Sequence, residues 1–123
     1  MPITSEDQLS RCKLQTNCVL VEWEFDDVNK VFADLVDIAS SLPRTEVLES
    51  SNKYWHGICR SLVFRFPDDL EILKRASAKG GSKKGSIQVR SASRFGASDL
   101  GVNKRRVETI YNKLMNFSKK KPS

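Results

Sequence analysis

One histidine, His56, is the whole supply of imidazole in this chain. That scarcity excludes paired-histidine acid–base chemistry and the common histidine-rich metal centres. Cysteine is equally thin. Cys12, Cys18 and Cys59 make an odd count, and the spacing of Cys12 and Cys18 matches no common zinc motif. Free thiols are the expectation for this pair, with a local bridge in an oxidising compartment as the alternative. No apolar run approaches the roughly 20 residues that cross a bilayer. The start, Met1 to Asp7, lacks the basic and apolar segments of a secretory signal. A nucleophile elbow and a Walker loop are also missing. These absences point to a soluble, cytoplasmic, non-enzymatic chain with no metal and no cofactor.

What is present is an uneven charge. The net value is +6, yet residues 1–49 hold four Lys/Arg against ten Asp/Glu, while residues 50–123 hold seventeen against five. The halves therefore carry −6 and +12. A basic face that attracts an anionic partner follows from such a separation. Hydrophobic residues make up 39% of 123 positions, enough for one packed core.

Residues 1–17 are polar and irregular and read as a leader across the fold, residues 18–117 as one domain, and residues 118–123 as a disordered basic tail. Cys18 to Phe25 alternates Val19, Val21, Trp23 and Phe25 with Leu20, Glu22 and Glu24, the period of a half-buried strand. Asp26 and Asp27 can cap a helix over Val28 to Ser41, whose apolar stripe is Val28, Val31, Phe32, Leu35, Ile38, Ala39 and Leu42. Pro43 ends it. Strands are expected at Thr45–Glu49, Tyr54–Phe66, Leu70–Arg75 and Ile87–Arg94, with Pro67-Asp68-Asp69 as a turn or edge interruption. The glycine- and lysine-rich stretch Ala76 to Ser86 reads as a hairpin loop. Asn103 is the expected N-cap of a last helix, with Val102 and Val107 as its hydrophobic staple. The order β-α-β-β-β-β-α predicts a two-layer α+β domain, an antiparallel sheet of about five strands with two helices on one face. The sheet either curves around the last helix, as in helix-grip folds, or carries both helices side by side.

The run Ile87-Gln88-Val89-Arg90-Ser91-Ala92-Ser93-Arg94, then Gly96, then Ser98-Asp99-Leu100-Gly101-Val102-Asn103 with Arg105, Arg106 and Val107, resembles a family catalogued as domain of unknown function 1499. Asn17-Cys18-Val19, Pro43-Arg44-Thr45, Cys59 to Phe66 and the paired Asp68-Asp69 extend the likeness over nearly the whole chain. The chain departs from the family in having no proline between Cys12 and Cys18, and in the longer Lys/Gly/Ser loop. The family occurs in bacteria and photosynthetic eukaryotes. The resemblance thus implies a cyanobacterial or plastid protein as one setting, in stroma or lumen if a targeting segment has been removed. It implies no reaction.

The residues that could bind something are Arg90, Ser91, Ser93, Arg94, Ser98, Asn103, Arg105 and Arg106. Arg90 and Arg94 share a strand face, and the helix start at Asn103 offers free N–H groups and partial positive charge. Arg105 and Arg106 oppose that dipole and call for acidic partners, for which Asp68, Asp69 and Asp99 are the structural candidates. The leading expectation is an interaction or accessory protein docking through its basic face. The alternatives are a small phosphate or carboxylate ligand at the arginine strand and helix N-terminus, and then nucleic acid. Were catalysis present, Arg90, Arg94 and His56 would be the residues to test first.

Overall fold

The computed structural model describes residues 8–61, 66–77, 81–96 and 98–120. Its elements are β1 (Cys18–Phe25), α1 (Val28–Ser40), β2 (Thr45–Ser50), β3 (Tyr54–Arg60), β4 (Pro67–Ala76), β5 (Gly85–Ser93) and α2 (Val102–Lys120). The strands form one antiparallel sheet in the order β1-β5-β4-β3-β2. This is the α+β architecture expected, and the helices lie side by side on one face. α1 covers β4, and α2 covers β5 and β1.

The pleat sorts the side chains. Trp55, Leu70, Ile72, Ile87 and Val89 stand toward the helices, where Phe32 and Leu35 of α1 and Val107, Ile110 and Leu114 of α2 meet them. Fully burying a side chain such as Leu35 or Ile72 contributes on the order of 2 kcal/mol. Trp55 anchors this layer by donating its indole N–H to Ser40 Oγ at 3.1 Å. Its ring lies over Gly57, where an added Cβ would stand 2.5 Å from a ring carbon. Glycine is required there for space.

Local chemistry sets the helix starts. Asp27 caps α1 by accepting from the Lys30 N–H, and the Lys83 carbonyl accepts from Val28 N at 2.9 Å. At α2 the expected cap is displaced. The helix begins at Val102, and Asp99 accepts from the N–H groups of Gly101 (2.8 Å) and Asn103 (3.1 Å). Asn103 thus lies inside the first turn, because a longer reach from Asp99 satisfies the orphan donors. The chain enters through Leu100 and Gly101, both at positive φ (54° and 82°). The helix continues through Lys120, into the segment read as tail.

A second correction concerns Pro67-Asp68-Asp69, which opens β4 instead of interrupting the sheet. Proline is tolerated as a first strand residue, and the two carboxylates enter a central strand because each is met by arginine. The single strand expected over Tyr54–Phe66 ends at Arg60, and its stretch 62–65 lies outside the described residues. Cys12 and Cys18 are bridged, their Cα atoms 5.5 Å apart, so free thiols give way to the alternative. The bridge fastens the leader to the start of β1. Leu9 then packs on Tyr54, Leu73 and Leu20, across the sheet face that the helices leave uncovered.

Candidate functional site

Asp68 and Asp69 are neighbours on β4, so their side chains point to opposite faces of the sheet. Each gathers its own network. On the helix face Arg106 Nη1 donates to Asp68 (2.9 Å), Ser91 Oγ (3.1 Å) and Asn103 Oδ1 (2.9 Å). Ser91 also donates to Asn103 Oδ1 at 2.6 Å. The Asn103 amide donates to Asp99 (2.5 Å), Ser93 Oγ (3.0 Å) and the Asn17 carbonyl (3.2 Å). Asn103 is fully buried, so this one amide ties leader, β5 and α2 together. Burial pushes the Asp99 carboxyl up, but the Asn103 side chain and the backbone N–H groups outweigh it and hold it below its ordinary value.

On the opposite face Arg94 forks onto Asp69, Nε to Oδ2 at 2.8 Å and Nη2 to Oδ1 at 3.0 Å. His56 Nε2 lies 2.7 Å from Asp69 Oδ1. Burial pushes the Asp69 carboxyl up, yet the hydrogen bonds from His56 and Arg94 prevail and hold it well below the carboxylate range. An ionised carboxylate only accepts, so His56 carries a proton on Nε2. Beside this trio Tyr54 Oη donates to Glu71 at 2.6 Å, and Arg90 Nη1 reaches the other Glu71 oxygen at 3.3 Å. Burial first, and then the Glu71 carboxylate, raise the Tyr54 phenol far above its ordinary value and keep it a donor.

The structure therefore divides the residues that sequence reasoning grouped. Arg90 and Arg94 lie on the sheet face away from α2, while Ser91, Ser93, Asn103 and Arg106 lie beneath the helix. Arg90, Arg94 and Arg106 each face a carboxylate. Ser98 is exposed, with its Oγ near the Leu100 N–H at 3.4 Å. Arg105 has no carboxylate partner among the described residues and bonds only the Leu100 carbonyl, at 3.2 Å. His56 is buried against Asp69.

Arg105 and Arg106 instead meet two arginines that sequence reasoning did not select. Arg44, Arg60, Arg105 and Arg106 line a pocket of about 290 Å³, with Leu42, Pro43, Cys59, Val102 and Thr109 between them. Among the described residues that line it, four of nine are arginine and none is acidic. Arg60 and Arg106 are paired with Glu46 and Asp68, which leaves Arg44 and Arg105 as the cations there that face no carboxylate among the described residues. Arg44 sits at positive φ (55°) and is held by Arg60: Arg44 Nε donates to the Arg60 carbonyl (3.1 Å), and Arg60 N–H to the Arg44 carbonyl (3.0 Å). That fixes one guanidinium beside the first turn of α2. Burial pushes the Cys59 thiol up, which favours its protonated form in the pocket wall. The sequence signal was Pro43-Arg44 after a helix stop, but only the fold carries it to the start of α2.

Among the described residues no group of three His, Cys, Asp or Glu is placed to hold a metal ion. No helix there is long and apolar enough to cross a membrane. Fold and site thus define a small α+β domain with two arginine–carboxylate networks back to back and an arginine-lined pocket at one end. The chain belongs to the family described as protein of unknown function, DUF1499, whose profile matches residues 5–114. A comparison with curated proteins finds no match.

Proposed function

We propose that the domain is a non-enzymatic accessory protein that docks an acidic partner through its arginine-lined end. The observation that carries this reading is the pocket itself, with four arginines and no acidic residue among the described residues of its wall. Phe66, Phe95 and Leu100 lie exposed beside it (57%, 70% and 85%), Phe66 and Phe95 sharing with Val102 a second, smaller hollow of about 160 Å³. Aromatic side chains next to arginine are the composition from which binding hot spots are made. A carboxylate of the partner enters the pocket, and an apolar side chain covers the phenylalanines. The pocket also supports a second reading, capture of a free phosphate or carboxylate, because its volume admits a small anion without any partner chain.

An array of acidic peptides, with and without an aromatic residue, separates these readings. Salt-dependent binding that needs both the acid and the aromatic, and that Arg105→Glu abolishes, fits docking. A thermal shift with inorganic phosphate or sulfate alone, lost in Arg44→Ala and Arg105→Ala, fits the small anion. If neither probe binds, both readings fail.

A further inference from the structure

The free edge of β1 lies apart from the arginine pocket. Among the described residues β1 ends the sheet and pairs only with β5. The Ser93 N–H donates to the Asn17 carbonyl at 2.9 Å, and these two residues stand directly opposite in the register that continues through Cys18↔Ala92. Hydrogen-bonded pairs alternate with non-bonded ones along an antiparallel ladder. Asn17, Val19, Val21 and Trp23 therefore turn their backbone groups to β5. Cys18, Leu20, Glu22 and Glu24 turn their N–H and C=O groups outward, away from the sheet.

Such an edge is a template for another strand unless it is blunted. β2, the opposite edge, is broken in register between Val47 and Glu49. β1 runs eight residues in unbroken register, with no proline, glycine or lysine in it. Beside it a groove of about 610 Å³ separates β1 from α2, with Val19, Val21 and Val107 as its apolar wall and Lys104 and Glu108 on its rim. Trp23 continues the same side-chain row and meets Tyr111 edge-on at 4.9 Å.

We propose that this edge pairs with β1 of a second copy, antiparallel about a two-fold axis through Val21, joining two five-stranded sheets into one. The backbone identifies the occupant as a strand, and side-chain chemistry identifies the register. Outward-facing residues must pair with one another, which centres the axis on Leu20, Val21 or Glu22. A centre on Glu22 sets that carboxylate against its own copy, a like-charge pair. A centre on Leu20 carries Glu24 beyond the partner strand, opposite Thr16. A centre on Val21 matches Cys18–Glu24 along its whole length, Leu20 against Glu22 and Val19 against Trp23, with no like charges opposed. The contact is self-complementary, as a two-fold interface requires.

Sedimentation velocity on the full, oxidised chain tests this. A dimer is expected. Glu24 is exposed and its N–H points outward, so Glu24→Pro removes an inter-chain donor while leaving the β1–β5 ladder intact. It should give a folded monomer with an unchanged circular dichroism spectrum. Val21 faces its own copy as a non-bonded pair, about 4.5 Å between Cα atoms, within disulfide reach. Val21→Cys should therefore cross-link the dimer under air oxidation, and Glu24→Pro should prevent it. A chain that stays monomeric up to its solubility limit overturns the proposal, as does a monomer that takes up only foreign peptide at this edge. A dimer that survives Glu24→Pro, or whose Val21→Cys form does not cross-link, overturns it equally.

Discussion

Glu71 is the carboxylate on which the uncovered face of the sheet turns, and Glu71→Gln is the most informative single change. Its side chain is fully buried and accepts from Tyr54 Oη at 2.6 Å and Arg90 Nη1 at 3.3 Å. Glutamine keeps an acceptor for Tyr54 but removes the negative charge. Arg90 is then a cation with 11% exposure and, among the described residues, no counter-charge and an Nε that already has no partner. Breaking a buried pair from one side costs roughly 3–5 kcal/mol. The 3.3 Å contact and the residual exposure of Arg90 place this case at the low end, about 3 kcal/mol. For a chain of this size each kcal/mol lowers Tm by about 4 °C, so a fall of about 12 °C is expected. Thermal unfolding followed by far-UV circular dichroism measures the fall, and urea unfolding the free energy. Glu46→Gln is the control: it removes the exposed partner of Arg60, 3.5 Å away, and should cost under about 1 kcal/mol. The double variant Glu71→Gln/Arg90→Met removes both charges and should recover most of the loss. A Glu71→Gln chain within about 1 kcal/mol of the parent, or a double variant no better than the single one, would refute the reasoning.

Asp69 gives a pH signature. Its carboxyl is depressed in the folded chain, so its stabilisation is present above the unfolded value of about 3.9 and is lost as pH falls toward the folded value. Unfolding free energy should therefore decline below about pH 4, and Asp69→Asn should flatten that decline. The Cys12–Cys18 bridge closes a short loop, and Cys12→Ser should lower stability by roughly 2 kcal/mol in denaturant titration, matched by reduction of the parent with dithiothreitol. Gly57→Ala forces a methyl against the Trp55 ring and should cost about 1–3 kcal/mol, with a shifted tryptophan emission spectrum. Asn103→Ala leaves Arg106 and Ser91 without a shared acceptor, and a loss of about 3 kcal/mol should appear in the same unfolding assay.

Periodicity made the architecture legible because burial follows it. The alternation in Cys18–Phe25 and the stripe of Val28, Phe32, Leu35 and Ile38 are the surfaces that pack together in the core. Turn chemistry was less legible. Pro67-Asp68-Asp69 has the composition of a turn, and only the arrival of Arg94 and Arg106 from distant sequence turns it into strand. The charge pairing of Asp68 and Asp69 with the arginine-rich segment could be read in outline. Its division between two sheet faces follows from parity along β4 and β5. Asp99, the third candidate, meets no arginine among the described residues and holds the start of α2 instead. Arg44 could be read only as part of the Pro43-Arg44 stop after the first helix, since its place beside α2 depends on where the loop after α1 returns. Tyr54 and Glu71 were hidden for a related reason: they meet diagonally across β3 and β4, a contact set by the register of the two strands.

The two arginines in the first turn of α2 have the same unfavourable relation to the helix dipole and opposite fates. A cation there is repelled by about 0.3–1 kcal/mol. Arg106 turns inward, and Asp68 compensates it at 2.9 Å with Ser91 and Asn103 completing its shell. Arg105 turns back over Gly101 to a single carbonyl and meets no carboxylate among the described residues. Among the described residues this repulsion is left standing, at the mouth of a pocket whose walls add Arg44 and the Glu46-paired Arg60. An acidic group from outside would relieve it without displacing any existing ion pair. Arg90 and Arg94 offer no such opening, because an anion there would have to compete with Glu71 and Asp69. Under the docking proposal, the place for a partner's charge is therefore the end of the sheet where α2 begins, with Arg90 and Arg94 kept in their own ion pairs.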